Sequence, residues 1–150
     1  MAASPGAVVR EWFEHLWNRG DQSTIDRLMH PDAVFHGLPS PDGQPLRGPA
    51  AFTPFYQSFR SAFPDIAIEM LAVVEEGDHV VAHYRVTGTH TGDGLGFAAT
   101  RRSIDVQGMS RGHVVDGQLR QGWNCVDFLT MYTQLGAEVA MPPISRASGR

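Results

Sequence analysis

The stretch that most restricts this chain runs from Gln118 to Gly136, QLRQGWNCVDFLTMYTQLG. It follows Asp116-Gly117, a dipeptide suited to the type I′ turn of a tight hairpin. Residues 118 to about 126 alternate as a strand does. At Asp127 the spacing becomes helical, with Phe128, Leu129, Tyr132 and Leu135 as the apolar set, and Gly136 ends it. Asp127 suits the N-cap of that helix. On the strand, Asn124 shares a face with Gly122, and Cys125 points to the other. Asn124 is thereby a candidate pocket residue, or a buried amide satisfied by neighbouring backbone.

Three more strands precede this one. Residues 66 to 75 form the first, turning at Glu76-Gly77-Asp78. Residues 79 to 90 form the second, with Val80, Ala82, Tyr84 and Val86 on one face and Val81, His83, Arg85 and Thr87 on the other. A glycine-rich connection, THTGDGLGFAATRR, leads to the third, from Ser103 to about Val115.

The N-terminal half is helical. Ser4-Pro5 reads as a cap and first turn, and Val8, Val9, Trp12, Phe13, Leu16 and Trp17 recur along a helix ending at Gly20. A short helix with Ile25, Leu28 and Met29 stops at Pro31, and residues 33 to 37 make a short strand. Residues 38 to 49, with four prolines and two glycines, form an irregular loop of the kind that rims pockets. Phe52, Phe55, Tyr56, Phe59 and Phe63 mark a third helix, with Thr53 as its cap, Pro54 at its first position and a loose turn before them. Helices first and antiparallel strands after give an α+β fold, a curved sheet wrapped around three N-terminal helices as a cone. The cone's open end is the natural small-molecule site.

Length and charge narrow the functions. A chain of 150 residues is one domain and needs no staple for its core. No apolar run reaches the roughly 18 residues of a membrane span. The N-terminus lacks the basic and apolar segments of a secretory signal, and one cysteine excludes an internal disulfide; both favour the cytoplasm. The net charge of −4, without basic runs, argues against nucleic acid. All 12 basic residues are arginine, so no lysine is present to form a Schiff base. No phosphate-binding or dinucleotide motif is present, and no cofactor is expected. His79 and His83 lie four apart on one strand, roughly 13 Å along it, and do not chelate; no metal site is expected.

Six segments in order carry a resemblance: WNRGD at 17–21, HPDAVFH at 30–36, RGPAAF at 47–52, AFPD at 62–65, GDHVVAHYRVTGTHTG at 77–92 and VVDGQLRQGWNCVDFLTMYTQLG at 114–136. In these the chain resembles the SnoaL-like polyketide cyclases, of the cystatin-like or nuclear transport factor 2-like fold, from about Val8 to Gly136. The resemblance implies a cofactor-independent enzyme of small-molecule biosynthesis. It implies a hydrophobic, partly aromatic ligand, and a homodimer through the outer sheet face. It places the family's acid–base aspartate at Asn124, and a position that is histidine in some members at Ser110. An amide has no accessible pKa for proton transfer, but it can donate to a developing oxyanion.

The remaining candidates are His36 and His90 as proton carriers, and Trp17, Tyr56, Tyr84, Met109 and Ser110 as substrate contacts. Each has a plainer reading: a rim histidine bonded to its loop, a turn-stabilising histidine, or core aromatics. The residues 137–150 read as a frayed tail or one wrapped on a neighbour. Two other functions fit the fold. One is a non-catalytic binding protein. The other is an epoxide hydrolase or hydratase, which needs paired carboxylates and an arginine around a water.

Overall fold

The computed structural model describes residues 3–140, 142 and 143. Much of the tail expected to fray therefore lies outside the described residues. Helix α1 is Pro5–Glu11, continued by a π-helical segment, Trp12–Asn18. Then come α2 (Ser23–Leu28), β1 (Met29–His36), β2 (Leu46–Arg47) and α3 (Gly48–Ala62). Strands β3 (Ala67–Glu76), β4 (His79–Thr89), β5 (Ser103–Val115) and β6 (Gln118–Val126) follow, with α4 (Phe128–Gln134) last.

The six strands form one sheet in the order β2-β1-β6-β5-β4-β3. All pairs are antiparallel except β1 with β6. Alternation on β4 buries Val80, Ala82, Tyr84 and Val86 against the helices, as the sequence pattern predicts. The opposite face carries His83, Arg85 and, on β5, Met109 and Arg111. Here Arg85 makes a bidentate pair with Asp105. The fold is the expected α+β cone, with the helices on the concave side.

The irregular loop is shorter than residues 38–49, because Leu46 and Arg47 pair with Phe35 and Val34 as β2, and three further features differ from the sequence reading. Strand β1 begins at Met29 rather than Ala33, because Met29 and residues 34–36 all pair with β6. A register shift between Met29 and Val34 lets the strand carry Pro31. Helix α3 begins at Gly48, not Thr53. Gly48-Pro49 supplies the same first-turn proline signature earlier, so Pro54 sits inside the helix. There the missing N–H leaves no helical donor for the carbonyl of Ala50. Thr53 turns its hydroxyl to the Pro49 carbonyl, 2.7 Å away, instead of capping. The first helix does not stay α-helical to its end. Its π-helical turns bury Trp12, Phe13, Leu16 and Trp17 together.

The last strand carries one further irregularity. Leu119 pairs with Val114 and Gln121 with His113, so β6 holds one extra residue at Arg120. Asp127 caps α4 as expected, accepting from the Thr130 N–H at 3.1 Å and the Thr130 hydroxyl at 2.6 Å. These bonds hold its carboxyl below the usual carboxylate range. No helix among the described residues is long and apolar enough to cross a membrane.

Candidate functional site

A cavity lies between the concave sheet face and the helices. Trp12, Phe13 and Trp17 come from the π-helical segment, Phe52, Phe55 and Phe59 from α3, and Tyr84, Val86, Ile104, Val106, Asn124 and Val126 from the sheet. Its freely accessible room is about 70 Å³, and the empty space with its open mouth is about 620 Å³. Outside Phe55 and Phe59 a wider groove of about 300 Å³ runs between the proline-rich loop, α3 and residues 94–95. The loop is thus a rim, as its composition predicts.

The cavity wall is aromatic and aliphatic with one polar pole. Asn124 Nδ2 donates to the His36 carbonyl at 2.9 Å. Ser110 Oγ donates to Asn124 Oδ1 at 2.7 Å, and the Tyr84 hydroxyl lies 2.8 Å from Ser110 Oγ. The directions follow from donor supply. A carbonyl only accepts, so Nδ2 must face His36 and Oδ1 must face Ser110. That uses the single Ser110 hydrogen, so the Tyr84 hydroxyl donates to Ser110. Asn124 keeps one amide hydrogen and Tyr84 keeps its oxygen lone pairs, and both residues line the cavity. Burial pushes the Tyr84 phenol up from its ordinary value, so it is neutral near pH 7.

Register explains which candidates meet here. Gly108 lies opposite Val126 and Ser110 opposite Asn124 on neighbouring strands. A Cβ on Gly122 would come within 3.3 Å of the Phe35 ring, so glycine there lets Phe35 pack beside Asn124. Ser110 stands behind Asn124 in a smaller void of about 30 Å³, not in the main cavity.

Several expected site residues lie elsewhere. The His36 imidazole stacks on Trp123, with centroids 5.5 Å apart, and is absent from the cavity lining. Strand period is the reason: Phe35 faces the cavity, so His36 faces the other side and offers the site only its carbonyl. His90 is fully buried beside Phe63 and Phe97 but does not line the cavity. Its Nδ1 accepts from the Thr100 N–H at 3.1 Å, which fastens the glycine-rich connection. Tyr56 spends its hydroxyl on the Leu16 carbonyl, 3.0 Å away, and buttresses Trp17. Met109 is 51% exposed on the outer sheet face, where odd-numbered β5 positions point.

The sequence reading missed Trp12, Phe13, Phe35, Phe52, Phe55 and Phe59 as cavity walls. They read as core stripes, and core they are; the signal that the stripe is incompletely filled is not in the sequence. Among the described residues that line the cavity there is no carboxylate, imidazole or arginine. The paired-carboxylate arrangement of an epoxide hydrolase is therefore missing from it. Nor does the cavity present a set of ligands for a metal.

The model of the SnoaL-like polyketide cyclase family matches residues 7–135. The aklanonic acid methyl ester cyclase DnrD of Streptomyces peucetius is 29% identical over 130 residues, 86% of this chain and 88% of its own. DauD of Streptomyces sp. strain C5, also an aklanonic acid methyl ester cyclase, is 32% identical over 113 residues, 75% of this chain and 66% of its own. Among solved structures, wild-type IdmH of Streptomyces antibioticus superposes with a TM-score of 0.78 at 28% identity, covering 90% of this chain and 100% of that one. The chain belongs to the SnoaL-like polyketide cyclase family.

Proposed function

We propose that this member of the SnoaL-like polyketide cyclase family binds a flat, partly aromatic carbonyl compound in the cone and promotes its intramolecular, aldol-type ring closure. The observation that carries the reading is Asn124, fixed by Ser110 and the His36 carbonyl, with one amide hydrogen left for a ligand in an otherwise apolar wall. In such a closure a C–H gives up its proton, a C–C bond forms to a carbonyl carbon, and that carbonyl oxygen takes a proton. Nothing is oxidised or reduced, so no cofactor is needed.

Asn124 in this reading occupies the place of the family's acid–base aspartate. It donates to the oxygen as negative charge develops there, the role of an oxyanion hole. The aromatic walls hold the two reacting carbons near each other. The amide cannot move the proton, which passes between the acidic carbon and solvent at the mouth. Forgoing general acid–base help gives up ~10²–10⁴ in rate, so turnover is slow. The working unit is a homodimer through the outer sheet face, in the cytoplasm. Exposed Val74, Val81 and Met109 on that face support the dimer.

A second reading, ligand binding without turnover, is favoured by the lack of any carboxylate or imidazole in the lining. One experiment separates the two. The protein is incubated with aromatic polyketide methyl esters of the aklanonic type, and products are followed by chromatography with mass detection. Ring closure gives a product of unchanged mass and altered retention, formed at least tenfold more slowly by Asn124→Ala. An equal rate in that variant removes Asn124 from the chemistry. Recovery of the bound ester unchanged supports the binding protein.

A further inference from the structure

A second cluster of functional groups sits at the end of the sheet, away from the cavity. His79 opens β4 and His113 lies near the end of β5, where the two are direct cross-strand partners. Their imidazoles lie parallel, with centroids 4.5 Å apart and an interplanar angle of 9°. Asp78, in the β3–β4 turn, reaches both. One carboxylate oxygen is 2.8 Å from His113 Nε2, and the other is 3.7 Å from His79 Nε2. The two ring nitrogens thus turn toward one point.

The backbone under these groups is fixed. His79 and His113 belong to paired strands. The Asp78 carbonyl accepts from the Val114 N–H at 2.9 Å, tying the turn to β5. One ligand atom from each residue lies within 4.8 Å of the others. A metal held at Zn–N distances of about 2.0–2.1 Å requires donor atoms roughly 3.3 Å apart. Rotating partly exposed side chains closes that difference without moving the strands. All three residues retain access to solvent.

We infer that Asp78, His79 and His113 form a surface site for a borderline divalent transition-metal ion, Zn²⁺ or Ni²⁺. Two imidazole nitrogens and one carboxylate oxygen suit such ions. Mg²⁺ and Ca²⁺ prefer all-oxygen sets and are excluded by the two nitrogens. Three protein ligands leave the remaining positions to water. None of the three residues lines the cavity, so the site is separate from the proposed chemistry. The strand spacing of His79 and His83 conceals it, because the partner of His79 is His113, 34 positions later and across the sheet.

The test uses the full chain without an affinity tag, treated with EDTA and dialysed. Calorimetric titration with ZnCl₂ shows one ion per chain, NiCl₂ competes for it, and MgCl₂ gives no binding. His113→Gln and Asp78→Asn each weaken zinc at least tenfold. His83→Gln, on the same sheet face, leaves it unchanged. Circular dichroism monitors folding, and His79→Gln replaces either variant that fails to fold. Zinc affinity that is equal in wild type and the site variants overturns the inference. So does the absence of zinc binding in wild type, which leaves Asp78 as a hydrogen-bond acceptor for His113 alone.

Discussion

Ser110 gives its only hydroxyl hydrogen to Asn124 Oδ1, 2.7 Å away, and so fixes both the orientation of that amide and the direction of the Tyr84 hydroxyl behind it. The polar pole of the cavity is a chain of committed donors. Every group in it depends on its neighbour for a partner.

Removing the middle of that chain strands both ends. Ser110→Ala leaves Asn124 Oδ1 and the Tyr84 hydroxyl without their partner, at a cost of about 1–3 kcal/mol. In a Tyr84→Phe background the same substitution costs less, because one stranded group is gone. Urea unfolding of the four proteins of this cycle measures the coupling. Additive effects contradict the hydrogen bond between Tyr84 and Ser110.

Asn124→Asp exchanges a donor for a second acceptor facing the His36 carbonyl. Only the protonated acid can keep that bond, so its folded-state pKa rises above the unfolded value of about 4. The variant is then close to wild type in stability below pH 4. It loses ground as pH rises through the elevated folded value. Unfolding midpoints measured from pH 4 to 8 against wild type trace this, and a constant difference disproves it.

Gly108 makes room for Tyr84. A Cβ there would stand 2.8 Å from the tyrosine ring and 3.0 Å from its hydroxyl oxygen. Gly108→Ala pushes the ring off Ser110 and destabilises by roughly 1–3 kcal/mol, as overpacking does. Ligand affinity falls with it. The effect shrinks when Tyr84 is first cut to alanine; an undiminished effect means that the strain lies in the strand instead.

Asp65 accepts from the Thr89 N–H at 2.7 Å, which holds its carboxyl below the usual range. A depressed folded-state pKa stabilises above the unfolded value of about 4 and is lost as pH falls through the folded one. Asp65→Asn keeps an acceptor but cannot titrate. Its stability therefore declines less steeply than that of wild type below pH 4. Parallel acid-unfolding curves refute this role.

Much of the architecture was readable from pattern. The period of two on β4 and the Asp116-Gly117 turn depend on local sterics and a single buried face, and both survive intact in the fold. Proline was less informative. Pro54 lies inside a helix because Phe52 and Phe59 must both be buried, and packing outweighs one missing hydrogen bond. Site residues divide in the same way. Asn124 and Tyr84 follow from strand faces and the family likeness. His36 adjoins the rim loop in sequence, but its strand period pairs it with Val34 rather than with Phe35, which faces the cavity. Met109 fails for the same reason of parity. The family likeness puts Ser110 on the strand next to Asn124, and the bulge at Arg120 sets it directly opposite.

The extra residue at Arg120 determines what the last strand means. Before it, the odd-numbered Leu119 faces the core; after it, the even-numbered Gly122 and Asn124 do. Were the bulge ironed out, with Arg120 taking the place of Gln121 opposite His113, the strand's two faces would exchange beyond it. Trp123 and Cys125 would turn to the cavity, and the amide to the outside. A shift of frame within a single strand, rather than any change of side chain, would then suffice to erase this site and leave the rest of the cone standing.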